Sequence, residues 1–90
     1  MFAESKYGIH YAKLETSPRL QRMLKLLCTG ERFTTRDIVM QAEIMAVGTA
    51  ASELRANGIQ VQCKAEGQGR YVYWLDGYGL RQAQERQGGL

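Results

Sequence analysis

The sequence predicts one α+β domain in which three helices are followed by a β-hairpin. Three observations predict it. Between residues 17 and 57, apolar residues recur at helical spacing in three stretches, each with its own start or stop signal. Over residues 59–75 the pattern changes to an alternating segment, a glycine-containing turn and a run of aromatic and β-branched residues. The chain has 90 residues, 44% of them apolar and 23% charged, with one proline, which is the composition of a single small globular domain. A domain this small hides little more than roughly 60% of the surface its unfolded chain exposes, so its core is thin.

The first helix opens at Ser17, a good N-cap, with Pro18 at the first helical position, where its missing N–H costs nothing. Leu20, Met23, Leu24 and Leu27 then fall on one face, Arg22 and Lys25 fall opposite, and Gly30 is the stop. Leu26 lies off that stripe and is left to meet the N-terminal arm, the tail or a second subunit. Thr34, with Asp37 three residues on, reads as a variant capping box that starts the second helix. Ile38, Val39, Ala42 and Ile44 supply its apolar side, and a turn follows at residues 43–45. The third helix covers residues 46–57. Val47, Ala50, Ala51 and Leu54 cluster on its inner side, with Thr49, Ser52, Glu53 and Ala56 opposite and Gly48 and Arg55 on a flank. Asn57 and Gly58 end it, since both tolerate the left-handed conformation.

The hairpin comes next. Ile59, Val61 and Cys63 alternate with Gln60, Gln62 and Lys64; residues 66–69 turn the chain; residues 70–75 are rich in aromatic and β-branched side chains. Tyr73 and Leu75 are expected to face the core, with Val72 and Trp74 on the outer side. Residues 1–16 form an N-terminal arm in which Tyr7, Ile9 and Tyr11 alternate as a short extended segment would. Residues 76–90 form a C-terminal tail. Six of the ten glycines lie between Gly67 and Gly89, so at most a weak helix is expected over residues 80–87, with frayed ends.

Composition narrows the function classes. No run of about 18 apolar residues exists to span a membrane, and the first residues lack the apolar stretch of a secretory signal, so a cytoplasmic location is expected. Cys28 and Cys63 stand far apart at apolar positions and are expected to be free thiols in the core. With His10 as the single histidine they cannot assemble an ordinary zinc site of four Cys and His ligands. No nucleophile–histidine–acid grouping and no glycine-rich loop between a strand and a helix is present, so neither an enzyme nor a cofactor is expected. Twelve Lys and Arg against nine Asp and Glu give a net charge of +3, which permits a nucleic-acid partner without demanding one.

Helix, helix, turn, helix and hairpin is the order of a winged helix-turn-helix: a three-helix core with a C-terminal β-hairpin wing. The stretch Thr34-Thr35-Arg36-Asp37-Ile38, then Ser52-Glu53-Leu54-Arg55-Ala56-Asn57-Gly58, then a hairpin ending Tyr-x-Leu resembles the small helix-turn-helix proteins common in phages and prophages. The resemblance covers about residues 17–75. It implies a DNA-binding transcriptional regulator that uses the third helix and the wing. One departure stands out: many helix-turn-helix units carry glycine in the turn between the paired helices, whereas Glu43 and Ile44 occupy it here and Gly48 falls inside the third helix, where it costs about 1 kcal/mol relative to alanine.

On that architecture the candidate DNA contacts are Arg36, Gly48, Thr49, Ser52, Arg55, Lys64 and Arg70. Thr49 and Ser52 can donate to bases or phosphates, and Arg55 to a phosphate or a guanine. Gly48 allows close approach to a backbone or a phosphate. Arg36, Lys64 and Arg70 suit backbone contact, and Gln60, Gln62 and Gln68 add uncharged donors. Against this, Glu53 is expected on the face that meets the polymer, where phosphates repel it. A winged helix turned protein-interaction module, or inhibitor of a host protein, would look the same. Trp74 and Leu26, if uncovered, would anchor a homodimer that pairs two recognition helices on a palindromic site.

Overall fold

The computed structural model of the protein describes residues 2–4 and 10–88. The helical part forms as its signals predict. Helix α1 (Pro18–Leu27) starts at Ser17, whose hydroxyl accepts from the Leu20 N–H at 3.3 Å. Helix α2 (Thr35–Ala42) starts with both arms of the capping box made: the Asp37 N–H donates to Thr34 Oγ1 at 3.1 Å, and the Thr34 N–H donates to Asp37 Oδ2 at 3.0 Å. Helix α3 (Val47–Ala56) buries Val47, Ala50, Ala51 and Leu54, the four inner-side residues. Leu20, Met23, Leu24 and Leu27 of α1 meet them, together with Ile38, Ala42 and Ile44 from α2 and its turn. Leu26 is half-buried and packs against this same core rather than standing free.

Two chain segments complete a three-stranded antiparallel sheet of order β3-β5-β4. Strand β4 (Val61–Ala65) pairs with β5 (Tyr71–Leu75) in the register Val61 to Leu75 and Cys63 to Tyr73. Strand β3 (Phe33–Thr34), between α1 and α2, pairs with the other edge of β5, Phe33 opposite Tyr73. It is too short for alternation to reveal it. Tyr73 and Leu75 are buried, as alternation predicts. Val72 lies on the opposite face of β5 but is buried as well, not open to solvent. Cys63 also departs from expectation. It lies opposite the buried Tyr73 but on the edge strand, and it is exposed, while Cys28 is half-buried; both thiols are free.

Within the described residues, the arm and the tail both carry regular elements; the last residues, expected to fray, lie outside the described residues. In the arm, β1 (Phe2–Glu4) pairs antiparallel with β2 (His10–Ala12), and a 3-10 turn follows at Leu14–Thr16. Tyr11 lies in β2; Tyr7 and Ile9 lie outside the described residues. Leu14 is wholly buried, and Ala12 nearly so. The tail forms helix α4 (Gly77–Gly88), a full element rather than a weak one. Asp76 caps it by accepting from the Gly79 N–H at 2.9 Å, and Ala83 is wholly buried. Gly79 explains why glycine is tolerated there: a Cβ would stand 2.9 Å from the backbone oxygen of Gln60, so only glycine lets α4 come this close to the strand. Gln82 reinforces the contact by accepting from the Gln60 N–H at 2.9 Å. No described helix is long and apolar enough to cross a membrane.

Candidate nucleic-acid interface

Helix α3 has four sides with four different fates. Its inner side is the core. Residues 53 and 57, one turn apart on one flank, hold the N-terminal arm. Glu53 Oε2 accepts from the Ala12 N–H at 2.7 Å, and Glu53 Oε1 pairs with Arg19 at 2.7 Å. The carboxamide of Asn57 accepts from the Leu14 N–H at 3.0 Å and donates to the Ala12 and Glu53 carbonyls at 2.9 and 2.7 Å. Asn57 thus acts as a backbone surrogate to which the arm docks like a strand. The opposite flank meets the sheet: Arg55 Nε donates to the Val61 carbonyl at 2.9 Å. The fourth side, Thr49, Ser52 and Ala56 with Gly48 beside them, is exposed.

One sequence expectation is corrected here. Glu53 does not confront a polymer as a free charge; Arg19 and the arm's amide take its carboxylate, leaving the side chain largely buried. The helix ends at Asn57–Gly58 as expected, with Gly58, at φ +90°, supplying the left-handed residue and Asn57 at φ −86°. Among the described residues, nothing stands within 4 Å of where a Cβ of Gly48 would be, so packing against them does not demand glycine at that position.

The turn between α2 and α3 contains the left-handed residue that a glycine would ordinarily supply. Glu43 has φ +56° and ψ +49°, the one non-glycine positive φ among the described residues. That conformation costs an L-residue roughly 1–2 kcal/mol. Two features hold it. The guanidinium of Arg22 donates to the carbonyls of Ala42 and Glu43 at 2.8 and 3.3 Å, and the next side chain, Ile44, is buried in the core. The start of α3 is therefore fixed in direction. Met45, just after the turn, is 87% exposed, and Met40 on the outer side of α2 is 71% exposed.

The hairpin turn faces the beginning of α2. Between them lies an open groove of about 600 Å³, bordered by Thr35, Arg36, Gln68, Arg70 and Tyr71. Arg36 and Arg70, distant in sequence, thus share one groove. Asp37 sits between them; its carboxyl is held below the ordinary range, first by the Thr34 N–H and to a lesser degree by the two arginines. Burial pushes the Tyr73 hydroxyl above its usual range.

Lys64 does not join this side. It alternates with Cys63 and so lies on the far face of the sheet, with Gln62 and Trp74. There the Arg32 guanidinium stacks over Trp74 at 4.0 Å from the ring centroid. Trp74 is half-buried beneath a cation that the sequence reading did not assign to it. The Gln62 carboxamide donates to Asp76, Gln60 is tied to α4 through its backbone N–H, and Gln68 borders the groove. Of the seven candidates, then, Gly48, Thr49 and Ser52 share the open side of α3. Arg55 bounds that side toward the sheet, Arg36 and Arg70 form a separate pair across the groove, and Lys64 stands apart. Among the described residues, no group of three His, Cys, Asp or Glu side chains is arranged to hold a metal ion. No protein-family model, curated protein or solved structure matches the chain.

Proposed function

We propose that the chain is a winged helix-turn-helix domain that binds duplex DNA through α3 and the β4–β5 hairpin, and that it serves as a transcriptional regulator of the phage or prophage type. The element order and the β3-β5-β4 sheet support the fold reading. One observation carries the binding reading above the rest: α3 is held on three sides and open on the fourth, and that open side carries Thr49 and Ser52. Hydroxyls on a rigidly held helix suit base edges and phosphates; the Arg36–Arg70 pair suits the neighbouring backbone.

With about four phosphates neutralised per chain, log affinity for duplex DNA falls against log salt with a slope near −4. A titration on mixed-sequence duplex at low and moderate salt tests this. Arg70→Ala weakens binding nearly equally on all sequences, as a backbone contact does, while Ser52→Ala acts more on a preferred site if it reads a base. Absence of salt-sensitive binding even at low salt defeats the reading. The alternative, an adaptor or inhibitor that docks on a host protein, is favoured by Met40 and Met45, large apolar side chains left exposed on either side of the turn before an uncharged helix face. Self-association through Leu26 or Trp74 has less support, since Leu26 packs on the core and Arg32 covers Trp74.

A further inference from the structure

We infer that the N-terminal arm makes a second contact with the nucleic-acid backbone, on the flank of α3 opposite the hairpin, with Lys13 as its cation. The inference rests on the DNA reading above and extends it to a segment that reading does not use.

The arm is a fixed rim rather than a loose strand. Leu14 plugs the core, and the bonds from Glu53 and Asn57 hold residues 12–14 along α3. A second tie comes from α4, where Arg86 donates to the Asn57 carbonyl and pairs with Glu15. Between this rim and the C-terminal end of α3 lies an open groove of about 560 Å³, bordered by Tyr11, Lys13, Glu15, Thr16, Ala56 and Arg86. Ala56 also belongs to the open side of α3, so groove and helix face form one continuous surface.

The charges along that surface favour an anionic strand. Among the described side chains, the two carboxylates on this flank are engaged by arginines, Glu53 by Arg19 and Glu15 by Arg86. The Glu15 carboxyl lies below its ordinary range, first through a backbone hydrogen bond and then through Arg86, so it remains an anion held by its partner. Lys13, exposed on the rim, then sets the sign of the groove edge. A wide groove with a cation and hydroxyl-bearing side chains matches a sugar–phosphate chain, which offers repeated charge and no base edge. The Arg36–Arg70 groove, between the start of α2 and the hairpin turn, is a separate backbone seat, so the arm and the hairpin would each hold one strand of the duplex.

The test compares the parent with Lys13→Gln and Arg70→Ala on mixed-sequence duplex, by salt titration and by hydroxyl-radical footprinting of the deoxyriboses. Lys13 is exposed, so Lys13→Gln should retain the parent's circular dichroism and melting temperature. The expected result is binding weakened roughly three- to tenfold on all sequences and a salt slope shallower by about 1. Lys13→Gln should lose the protected sugars on one side of the footprint, and Arg70→Ala those on the other. If the parent binds and Lys13→Gln keeps its affinity, slope and footprint, the arm contact is wrong and the DNA reading stands. If the parent shows no salt-dependent binding, both fall together.

Discussion

The two flanks of α3 are secured by different means. On the arm side, Glu53 and Asn57 reach out from the helix and satisfy backbone groups of Ala12 and Leu14, between strand β2 and the 3-10 turn. On the sheet side, a β-hairpin satisfies its own backbone, and Arg55 adds a single side-chain bond across to Val61. The first flank adds a few directed hydrogen bonds to the burial of Leu14, and the second rests on alternation and apolar burial. Loss of one residue should therefore free the arm selectively, whereas no single polar residue should free the hairpin.

The largest expected effect tests what lies beneath both flanks. Leu54 is wholly buried on the inner side of α3, and Leu54→Ala should destabilise the fold by roughly 2–5 kcal/mol in chemical denaturation. A loss below about 1 kcal/mol would mean that α3 is anchored by its flanks rather than by its inner side. Asn57→Ala comes next. It strands the Leu14 N–H and the Ala12 carbonyl, and should cost about 1–3 kcal/mol. Hydrogen exchange should accelerate at Leu14 and leave the amides of β5 unchanged. Equal acceleration in both would erase the distinction between the flanks.

Glu43→Gly should be neutral or stabilising by up to about 1 kcal/mol, because glycine relieves the left-handed strain while adding freedom to the unfolded chain. A clear destabilisation would show that the Glu43 side chain holds the turn. The smallest effect concerns reactivity alone. Cys63 is exposed, whereas Cys28 is half-buried, donates to Gln87 Oε1 at 3.5 Å and has its thiol pushed up by burial. Alkylation of the native protein followed by mass mapping should label Cys63 first.

Local chemistry made much of the fold legible. Ser17 with Pro18, Thr34 with Asp37, and the four inner residues of α3 each announce themselves through a cap or a 3.6-residue period. The missing parts have no such local signature. Strand β3 has two residues and no room to alternate. Helix α4 is rich in glycine and glutamine; it is held by Ala83, by Gly79 against the Gln60 carbonyl and by Gln82, contacts that exist only once the sheet is in place. The candidate site divides in the same way. Helical spacing marks Thr49 and Ser52 as outward. It cannot reveal that Arg36 and Arg70 share a groove, that Glu53 is consumed by Arg19 and the arm, or that Lys64 lies across the sheet. The covering of Trp74 by Arg32 likewise depends on the tertiary approach of two distant segments.

Amide chemical shifts of the labelled protein during titration with a short duplex would test the central claim most directly. The account predicts that the largest changes fall on Gly48, Thr49 and Ser52 of α3 and on Gly69 and Arg70 of the hairpin turn, and that all of them collapse as salt is raised. Changes confined to the Trp74 face of the sheet, or no changes at low salt, would contradict it.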